Sequence, residues 1–250
     1  MAFRAGPPRR MSERRRVGVF IDGQNITIGA RYAFGGTGNL HPLLLGRALA
    51  GDDELVEIRY ATGIPDHGID PGRAEAAMRR HDLIRRTDVV LLERTLRYRW
   101  EWQVQDRDLP DPRDHPGEVR QARVKSKNRG QEKGIDVWLA LDALAMCARS
   151  DIDRVVLASA DSDMDTVPEY VRTIPGQEST TVVAAKVLPD GKTLRPNEAY
   201  DDTVAIDRTI YELAKDDFDY TEPLNGAETD RFIERIGSRS DGIRDRQSND

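Results

Sequence analysis

The 250-residue chain contains 33% charged residues, only 6% aromatic residues and a formal net charge of −6. This length suits one large domain or two small ones, and the composition predicts an aliphatic core under a densely charged surface. The negative net charge argues against a generic binder of polyanions, although it does not describe how the charges are distributed. No run approaches the roughly 18 apolar residues of a membrane span, so no membrane partner is expected. The single cysteine, Cys147, excludes an intrachain disulfide and favours a reducing cytoplasm as the location.

Both ends of the chain are polar. Residues 1–15 carry arginines without a following apolar segment, which predicts a disordered basic lead rather than a secretory signal. Residues 219–250 are predicted to form a polar tail with a short helix around the segment ETDRFIERIG. We therefore expect one folded domain over residues 16–218.

Apolar runs alternate with helical patterns inside this domain. Strand patterns cover residues 16–21, 54–62, 87–97, 153–159, 179–188 and 204–207. Helical patterns cover residues 40–51, 71–86 and 134–148, followed by the segments MDTVPEYVRTI and RTIYELAKD. Strands that alternate with helices at this spacing indicate parallel pairing with helices on both faces of the sheet. The predicted fold class is therefore α/β, a three-layer α/β/α sandwich with a mostly parallel central sheet.

Residues 97–132 interrupt this alternation because they lack clean periodicity and contain three prolines. We predict an insertion loop that is basic and bears aromatic residues. The stretch RYRWEWQ (97–103) interleaves arginines with Tyr98, Trp100 and Trp102. Cations neutralise phosphates and exposed aromatic rings stack on unpaired bases. The candidate RNA-binding residues are the six cations Arg120, Arg123, Lys125, Lys127, Arg129 and Lys133. The alternative is a small hydrophobic lid whose arginines pair with the acidic residues of the loop.

Carboxylates stand where predicted strands end and where the helix 134–148 begins. Asp22 ends the first strand, Asp161 and Asp163 follow the strand 153–159, and Asp136 lies in the first turn of the helix. Functional residues of open α/β sheets gather at the carboxyl ends of the strands. Neighbouring strands would therefore bring all four carboxylates to one end of the sheet.

Clustered carboxylates without a nearby His or Cys suit hard divalent cations, which here means Mg²⁺ or Mn²⁺. A site of this kind activates a water and stabilises in-line displacement at a phosphodiester. Zinc is disfavoured because the four histidines are scattered and show no ligand spacing. The alternative is that these aspartates are turn and N-cap residues that face water.

Three further residues are candidates for contacting the metal ligands rather than the metal. Ser159 is the last residue of the strand 153–159, two positions before Asp161. Asp142 lies about 120° around the helix from Asp136, since an α-helix has about 3.6 residues per turn. Asp165 is either such a contact or the first residue of the helix that follows.

Three blocks of sequence carry a family resemblance: VFIDGQNI (19–26), KGIDVWLALDAL (133–144) and LASADSDMDTVPEYV (157–171). In order and spacing they resemble the signature blocks of the NYN domain family of PIN-like nuclease domains, in the branch grouped with bacterial LabA-type proteins. The resemblance runs over most of residues 16–210. The chain departs from the pattern at Ala160, where the family usually has Gly, and at Met164, where it has an aromatic residue. Neither departure removes an acid.

The resemblance implies a PIN-like α/β/α fold and Mg²⁺- or Mn²⁺-dependent ribonuclease activity. It implies four metal ligands: Asp22, Asp136, Asp161 and Asp163. Asn25 would orient Asp22 or a phosphate-bound water, and Lys133 would contact a phosphate near the scissile bond. PIN-like domains often pair, so a homodimer is an open expectation.

The predicted function is hydrolysis of RNA phosphodiester bonds by a metal-activated water, with DNA left open as a second substrate. The first alternative is a non-catalytic module that holds RNA or a protein partner. A phosphatase that uses Asp22 as nucleophile is disfavoured, because Gln24 occupies the position where such enzymes carry a second Asp. No Ser-His-Asp or Cys-His arrangement supports covalent catalysis.

Overall fold

The computed structural model describes residues 14–104, 124–131, 134–174 and 180–247. For residues 99–104, 124–131 and 247 the description is of the backbone. Within the described parts of the chain, no helix is long and apolar enough to cross a membrane.

Strands and helices alternate through most of the chain. The strands are β1 (Arg16–Asp22), β2 (Glu54–Ile64), β3 (Val89–Thr95), β4 (Arg97–Val104), β5 (Val124–Gln131), β6 (Arg154–Ala158), β7 (Thr181–Val187) and β8 (Asp202–Ile206). The helices are α1 (Gly23–Phe34), α2 (Pro42–Ala50), α3 (Pro71–Ile84), α4 (Ile135–Cys147), α5 (Thr166–Val171), α6 (Arg208–Ala214) and α7 (Gly226–Gln247), and a 3₁₀ turn spans Ser162–Asp165. The sequence patterns assigned no element to α1, and they gave the segment that holds β4 and β5 as an insertion loop.

The central sheet has six parallel strands in the order β3-β2-β1-β6-β7-β8. The chain moves from β1 outward to β3, and then returns to the other side of β1 with β6. The order therefore reverses between β1 and β6, which is the place where open α/β sheets form their crevice. The predicted α/β/α sandwich with a mostly parallel sheet is confirmed.

Two hydrophobic cores lie on opposite faces of this sheet. Val17, Val19 and Ile21 of β1 belong to the core shared with α1, α2, α3, α6 and α7. Phe20, on the alternate side of the strand, belongs to the core under α4 and α5. Cys147 is fully buried in this second core, where burial raises the pKa of its thiol to about 12. It packs as a small apolar residue.

The C-terminal segment differs from the predicted polar tail with a short helix. It contains the 22-residue helix α7, whose Phe232, Ile236 and Ile243 are buried against the first core. The spacing of four and seven residues forms one narrow apolar stripe. A stripe this narrow leaves the segment polar on average, which is why composition alone indicated a tail.

The expected loop at 97–132 is in part a two-stranded ribbon. β4 and β5 pair in antiparallel fashion from Arg97 opposite Gln131 to Val104 opposite Val124. Within the described residues, β4 and β5 pack chiefly on each other. The alternating pattern of β4 is visible in the sequence, but its partner strand is polar from Lys125 onward and carries no apolar period.

His41 is a buried polar residue without a polar partner. It precedes α2, is 0% exposed and forms no capping bond. Neither ring nitrogen has a hydrogen-bond partner in the described structure. Burial lowers the pKa of His41 to about 4, Asp216 opposes this shift, and Arg80 and Arg239 add to it. The folded protein therefore holds this imidazole neutral.

We expect His41→Leu to reduce the loss of stability in acid. Unfolding exposes the imidazole and restores its ordinary pKa of 6.5, so the unfolded state binds the extra proton as the pH falls from 6.5 towards 4. This single residue would cost the wild type up to about 3 kcal/mol over that window. Urea unfolding of both proteins between pH 7 and pH 4 measures the difference, and His67→Leu, at an exposed histidine, is the matched control. A difference that stays constant with pH would contradict the assignment.

Candidate functional site

The site lies at the carboxyl ends of β1 and β6. Asp22 is the last residue of β1 and Ser159 directly follows β6. Because Ile21 pairs with Ala158 in the sheet, the next residue of each strand stands beside the other. Parallel pairing therefore sets the carboxylate of the first strand against the loop after β6.

Asp22 is nearly buried and hydrogen-bonded through both oxygens. It is 8% exposed, its Oδ1 accepts from the backbone N–H of Asn25 at 3.0 Å, and its Oδ2 accepts from Ser159 Oγ at 3.1 Å. The first bond also caps α1. The carboxylate of Asp22 thus caps α1 and belongs to the site, and its two hydrogen bonds fix its orientation relative to β1 and β6.

Burial raises the pKa of Asp22 above its ordinary value. The bonds from Asn25 and Ser159 stabilise the charged form and oppose this shift, whereas the carboxylates of Asp161 and Asp136 repel it and add to it. Two neighbouring negative charges and a dry environment make the anionic form of Asp22 costly. A cation among these groups would lower that cost.

Asn25 and Ser159 shape the loop that carries Asp161. The side-chain Oδ1 of Asn25 accepts from the backbone N–H of Ala160 at 2.9 Å. Ser159 Oγ accepts from the backbone N–H of Asp161 at 3.1 Å while it donates to Asp22. Asp161 then caps the 3₁₀ turn by accepting from the N–H of Asp163 at 3.0 Å. The polar side chains around the acids therefore act as positioning residues.

The third acid of the site, Asp136, belongs to α4. Gly134 precedes the helix with a left-handed φ of 78° and Asp136 lies in the first turn. A carboxylate in the first turn of a helix is favoured by the unpaired N–H groups and the dipole there. The left-handed glycine lets the chain turn into the helix at the mouth of the site, since other residues populate this φ at a cost.

These elements enclose an open cavity of about 380 Å³. Its lining consists of Asp22, Gln24, Asn25, Ile28, Gly134, Ile135, Asp136 and Asp161. Behind it, Gly23 packs so closely on Tyr60 that a Cβ there would lie 2.6 Å from the tyrosine ring. The cavity is thus walled by carboxylates and amides from three separate parts of the chain.

A family model described as the NYN domain matches residues 16–200. The chain belongs to the NYN domain family. Its six-stranded parallel sheet with helices on both faces agrees with the PIN-like fold of that family. The family predicted from the three sequence blocks is therefore confirmed, and it indicates a nuclease-like fold.

No curated protein matches the chain. Among solved structures, the crystal structure of a protein of unknown function from Vibrio parahaemolyticus is similar, with a TM-score of 0.48 and 19% sequence identity, covering 80% of this chain and 98% of that chain. A likeness this distant says nothing about the chemistry of the NYN domain described here.

Three of the four predicted metal ligands line the cavity of the NYN domain. Asp22, Asp136 and Asp161 meet there. Asp163 is exposed and does not belong to the lining; its described bonds are through the backbone, to Asp161 and to Thr166. The sequence could not separate Asp161 from Asp163, because both follow the same strand and differ only in their place within the 3₁₀ turn.

Asp142 and Asp165 lie outside the cavity. Asp142 Oδ2 accepts from Arg59 Nη1 at 2.6 Å, so it joins α4 to β2. Asp165 Oδ1 accepts from Asn197 Nδ2 at 3.0 Å, which ties the segment before β8 to the 3₁₀ turn. Both carboxylates have structural partners, whereas Ser159 contacts Asp22 as the sequence suggested.

Three of the six predicted RNA-binding cations lie in the described part of the chain. Arg120, Arg123 and Lys133 lie outside the described residues. Lys125, Lys127 and Arg129 lie on β5, at alternate positions of that strand. Their proposed contact with RNA stays a prediction that the strand register makes more specific.

An Arg–Trp stack beside the cavity was not predicted. The guanidinium of Arg94, near the end of β3, lies 4.8 Å from the ring centroid of Trp138 in α4. A Cβ on Gly134 would lie 3.2 Å from Arg94 Nη1, so the pair borders the mouth of the cavity. Sequence reasoning missed it because the partners are far apart in the chain; an aromatic residue two positions after Asp136 was the one available signal.

The donor set fits a hard divalent cation that keeps waters. The polar groups of the lining are carboxylates and amides, without a sulfur or imidazole. In the described structure, no group of three or more His, Cys, Asp or Glu side chains is arranged to hold a metal ion by itself. Mg²⁺ is commonly held by one or two carboxylates together with waters and phosphate oxygens, which an open cavity admits. Asp22, Asp136 and Asp161 are the side chains that could hold it.

We expect Gly134→Ala to destabilise the protein by about 1–2 kcal/mol, because alanine at a left-handed φ is strained. Its Cβ would also crowd Arg94 Nη1 at 3.2 Å. Gly72→Ala in α3 is the matched control, since a Cβ there meets nothing within 4 Å, and it should stabilise by about 0.5–1 kcal/mol. Urea unfolding measures both changes. Equal stability of the Gly134 variant and the wild type would rule out the left-handed turn.

Ser159→Ala should raise the pKa of Asp22 further, because the carboxylate loses a donor that favours its charged form. Leaving Asp22 Oδ2 and the N–H of Asp161 without this hydroxyl should also cost about 1–3 kcal/mol of stability. Carboxyl ¹³C NMR titration of the metal-free protein and urea unfolding measure the two effects. Ser162→Ala, at an exposed position of the same turn, should change neither; a similar response of both variants would refute the role of Ser159.

Proposed function

We propose that this NYN domain is a metal-dependent endoribonuclease that hydrolyses RNA phosphodiester bonds at the acidic cavity. The observation that carries the proposal is the meeting of Asp22, Asp136 and Asp161 in one open cavity. They come from the end of β1, the start of α4 and the loop after β6. A nuclease-like family and an acidic crevice at the strand-order reversal support the same reading.

Electrostatic cost favours a ligand at this cluster over a purely structural role. Asp22 is nearly buried, and its neighbours Asp161 and Asp136 raise its pKa. An aspartate that serves only as a cap gains nothing from burial beside two other carboxylates. Within the described structure, none of the acids that line the cavity forms an ion pair with Lys or Arg, and a bound cation would supply a counter-charge.

The residues of the chain supply binding and orientation. Asp22, Asp136 and Asp161 would hold the cation, and Asn25 and Ser159 fix the loop on which Asp161 stands. A bound Mg²⁺ or Mn²⁺ supplies Lewis acidity, which activates a water and neutralises the charge that develops on the phosphate. No Ser, Cys or His belongs to the described lining, so hydrolysis without a covalent enzyme intermediate is the chemistry that the site supports.

A non-catalytic RNA-binding module is the second candidate. It is favoured by the absence, in the described structure, of a group of three acids arranged to hold a metal. RNA is the proposed partner in either case, and pairing of two copies stays a prediction. The buried free thiol of Cys147 accords with the reducing cytoplasm that we propose as the location.

We expect the wild type to cleave a labelled single-stranded RNA in Mg²⁺ or Mn²⁺ and to stop in EDTA. Asp22→Asn and Asp161→Asn should each lower the cleavage rate by at least about 100-fold, since each removes a charge that binds the cation. Asp163→Asn should have a smaller effect, because this side chain does not line the cavity. Gel separation of end-labelled products measures the rates.

Asp230→Asn, an exposed residue of α7, is the control for loss of one negative charge. Thermal stabilisation by Mn²⁺, compared between the wild type and Asp22→Asn, reports cation binding without depending on activity. A wild type that binds RNA and Mn²⁺ but cuts no RNA would contradict the nuclease proposal and favour the non-catalytic binding module. Cleavage that survives both Asp22→Asn and Asp161→Asn would place the catalytic site elsewhere.

A further inference from the structure

The register of β4 and β5 sorts the residues of the ribbon into two faces. Arg99 pairs with Arg129, Glu101 with Lys127 and Gln103 with Lys125. Directly opposed residues of an antiparallel pair share a face, and the face alternates along each strand. We call the face of these pairs the basic face; its positions are Arg97, Arg99, Glu101, Gln103, Lys125, Lys127, Arg129 and Gln131. Five of these eight positions are cations and one is an acid, so the face carries a net positive charge.

The opposite face is aromatic at the positions of β4. The intervening pairs are Tyr98 with Gly130, Trp100 with Asn128, Trp102 with Ser126 and Val104 with Val124. The sequence interleaves arginines with aromatic residues, but strand periodicity separates them onto opposite sides. One stretch of a ligand therefore meets either the cations or the tryptophans.

Both ends of the ribbon are rooted near the acidic cavity. The backbone N–H of Leu96, between β3 and β4, donates to the carbonyl of Ile64 at the carboxyl end of β2 at 2.8 Å. At the other end, β5 stops at Gln131, three residues before Gly134 in the cavity lining. The ribbon thus leaves the sheet at the same end as the carboxylates, and in the described structure its two strands pack chiefly on each other.

Arg94 and Trp138 lie at this root. The guanidinium lies 4.8 Å from the ring centroid of Trp138, and Trp138 is 36% exposed. Gly134 lines the cavity, and a Cβ built on it would lie 3.2 Å from Arg94 Nη1. An arginine held on an exposed indole offers a phosphate contact and a stacking surface in one place.

The distribution of charge indicates what the basic face can do for a ligand that carries phosphates. The net charge of the chain is −6 and its cavity is lined by three carboxylates, and both disfavour the approach of a phosphodiester. A positive face that begins at the edge of that cavity offsets the repulsion along one direction of approach. Phosphate contacts with Lys and Arg supply most of the affinity for a nucleic acid chain.

We propose that the basic face of the ribbon, with the Arg94–Trp138 stack at its root, binds the sugar–phosphate backbone of single-stranded RNA and leads it to the acidic cavity. This inference rests on the proposed function, since it takes the cavity as the place of cleavage. A single strand fits better than a duplex for two reasons. An unpaired base can stack at Trp138, and a flexible backbone can bend from the ribbon into the cavity.

The test measures binding without cleavage. Labelled single-stranded RNA is titrated in EDTA with the wild type, with Lys125→Gln/Lys127→Gln/Arg129→Gln, and with Arg47→Gln/Arg244→Gln/Arg246→Gln. The second triple variant removes the same number of positive charges. Two of its arginines, Arg47 and Arg244, line a cleft beside Asp52–Glu54, at the amino end of β2 and away from the cavity. We expect the ribbon variant to lose roughly tenfold or more in affinity and about 2 units of slope in a log–log salt plot. The control should stay within about twofold of the wild type.

The double variant Trp100→Ala/Trp102→Ala tests the separation of faces. It should leave the salt slope unchanged, because its residues occupy the aromatic face. Equal losses in the ribbon and control triple variants would overturn the inference, as would a tryptophan variant that alone abolishes binding. Duplex RNA or duplex DNA of equal length that competes as well as the single strand would also overturn it. Lys127→Gln/Arg129→Gln repeats the test if the triple variant does not fold.

The two proposals fail in distinguishable ways. A ribbon variant that binds and cuts RNA like the wild type contradicts RNA binding by the basic face but leaves the nuclease proposal intact. A wild type that never cuts, while the ribbon variant still loses affinity, contradicts the nuclease proposal and leaves the basic face as part of an RNA-binding module. Arg94→Gln in the same assay should weaken binding as well, since the Arg94–Trp138 stack lies where the basic face meets the cavity.

Discussion

Parallel pairing of β1 with β6 is the constraint on which the candidate site depends. It places Asp22 beside Ser159, and the hydrogen bond between them joins the two halves of the doubly wound sheet at their carboxyl ends. The same serine holds the backbone of Asp161, while Asn25 holds that of Ala160. One strand pair therefore determines the position of two acids and of the side chains that orient them.

Local stability and function compete at this edge of the sheet. Asp22 caps α1, which stabilises the fold, yet its burial beside two other carboxylates raises its pKa and disfavours its charge. The hydrogen bonds from Asn25 and Ser159 offset part of this cost. Repulsion that the protein does not relieve by pairing is a property expected of a cation site, since the ligand completes the charge balance.

The proposed substrate is a polyanion, which an acidic cavity in an acidic protein would have to admit. The ribbon carries a local positive charge that the overall composition does not show, because its cations lie at alternate positions of two paired strands. Strand pairing concentrates them on one face, and the ribbon begins where β3 ends, near the cavity. Net charge therefore describes this protein poorly, whereas the arrangement of charge on individual elements describes how a phosphate chain could approach.

The sequence predicted the parts of the structure that repeat or follow local rules. Apolar runs such as 153–159 identified the parallel strands, and the three blocks around Asp22, Asp136 and Asp161 identified the family. It failed where the signal was thin or shared between distant segments. The buried apolar residues of helix α7 are four and seven positions apart, and β5 shows no apolar period because it is polar from Lys125 onward.

By itself, the sequence determined the α/β class, the family and the set of acids from which a site could be built, because periodicity and motif order are properties of a single chain segment. Only the tertiary structure decided which acids meet. It placed Asp161 in the cavity and Asp163 in solvent, although only Ser162 stands between them, because the 3₁₀ turn rotates them apart. It also brought Arg94 onto Trp138. Contacts of this kind depend on strand order and helix packing, which no local pattern encodes.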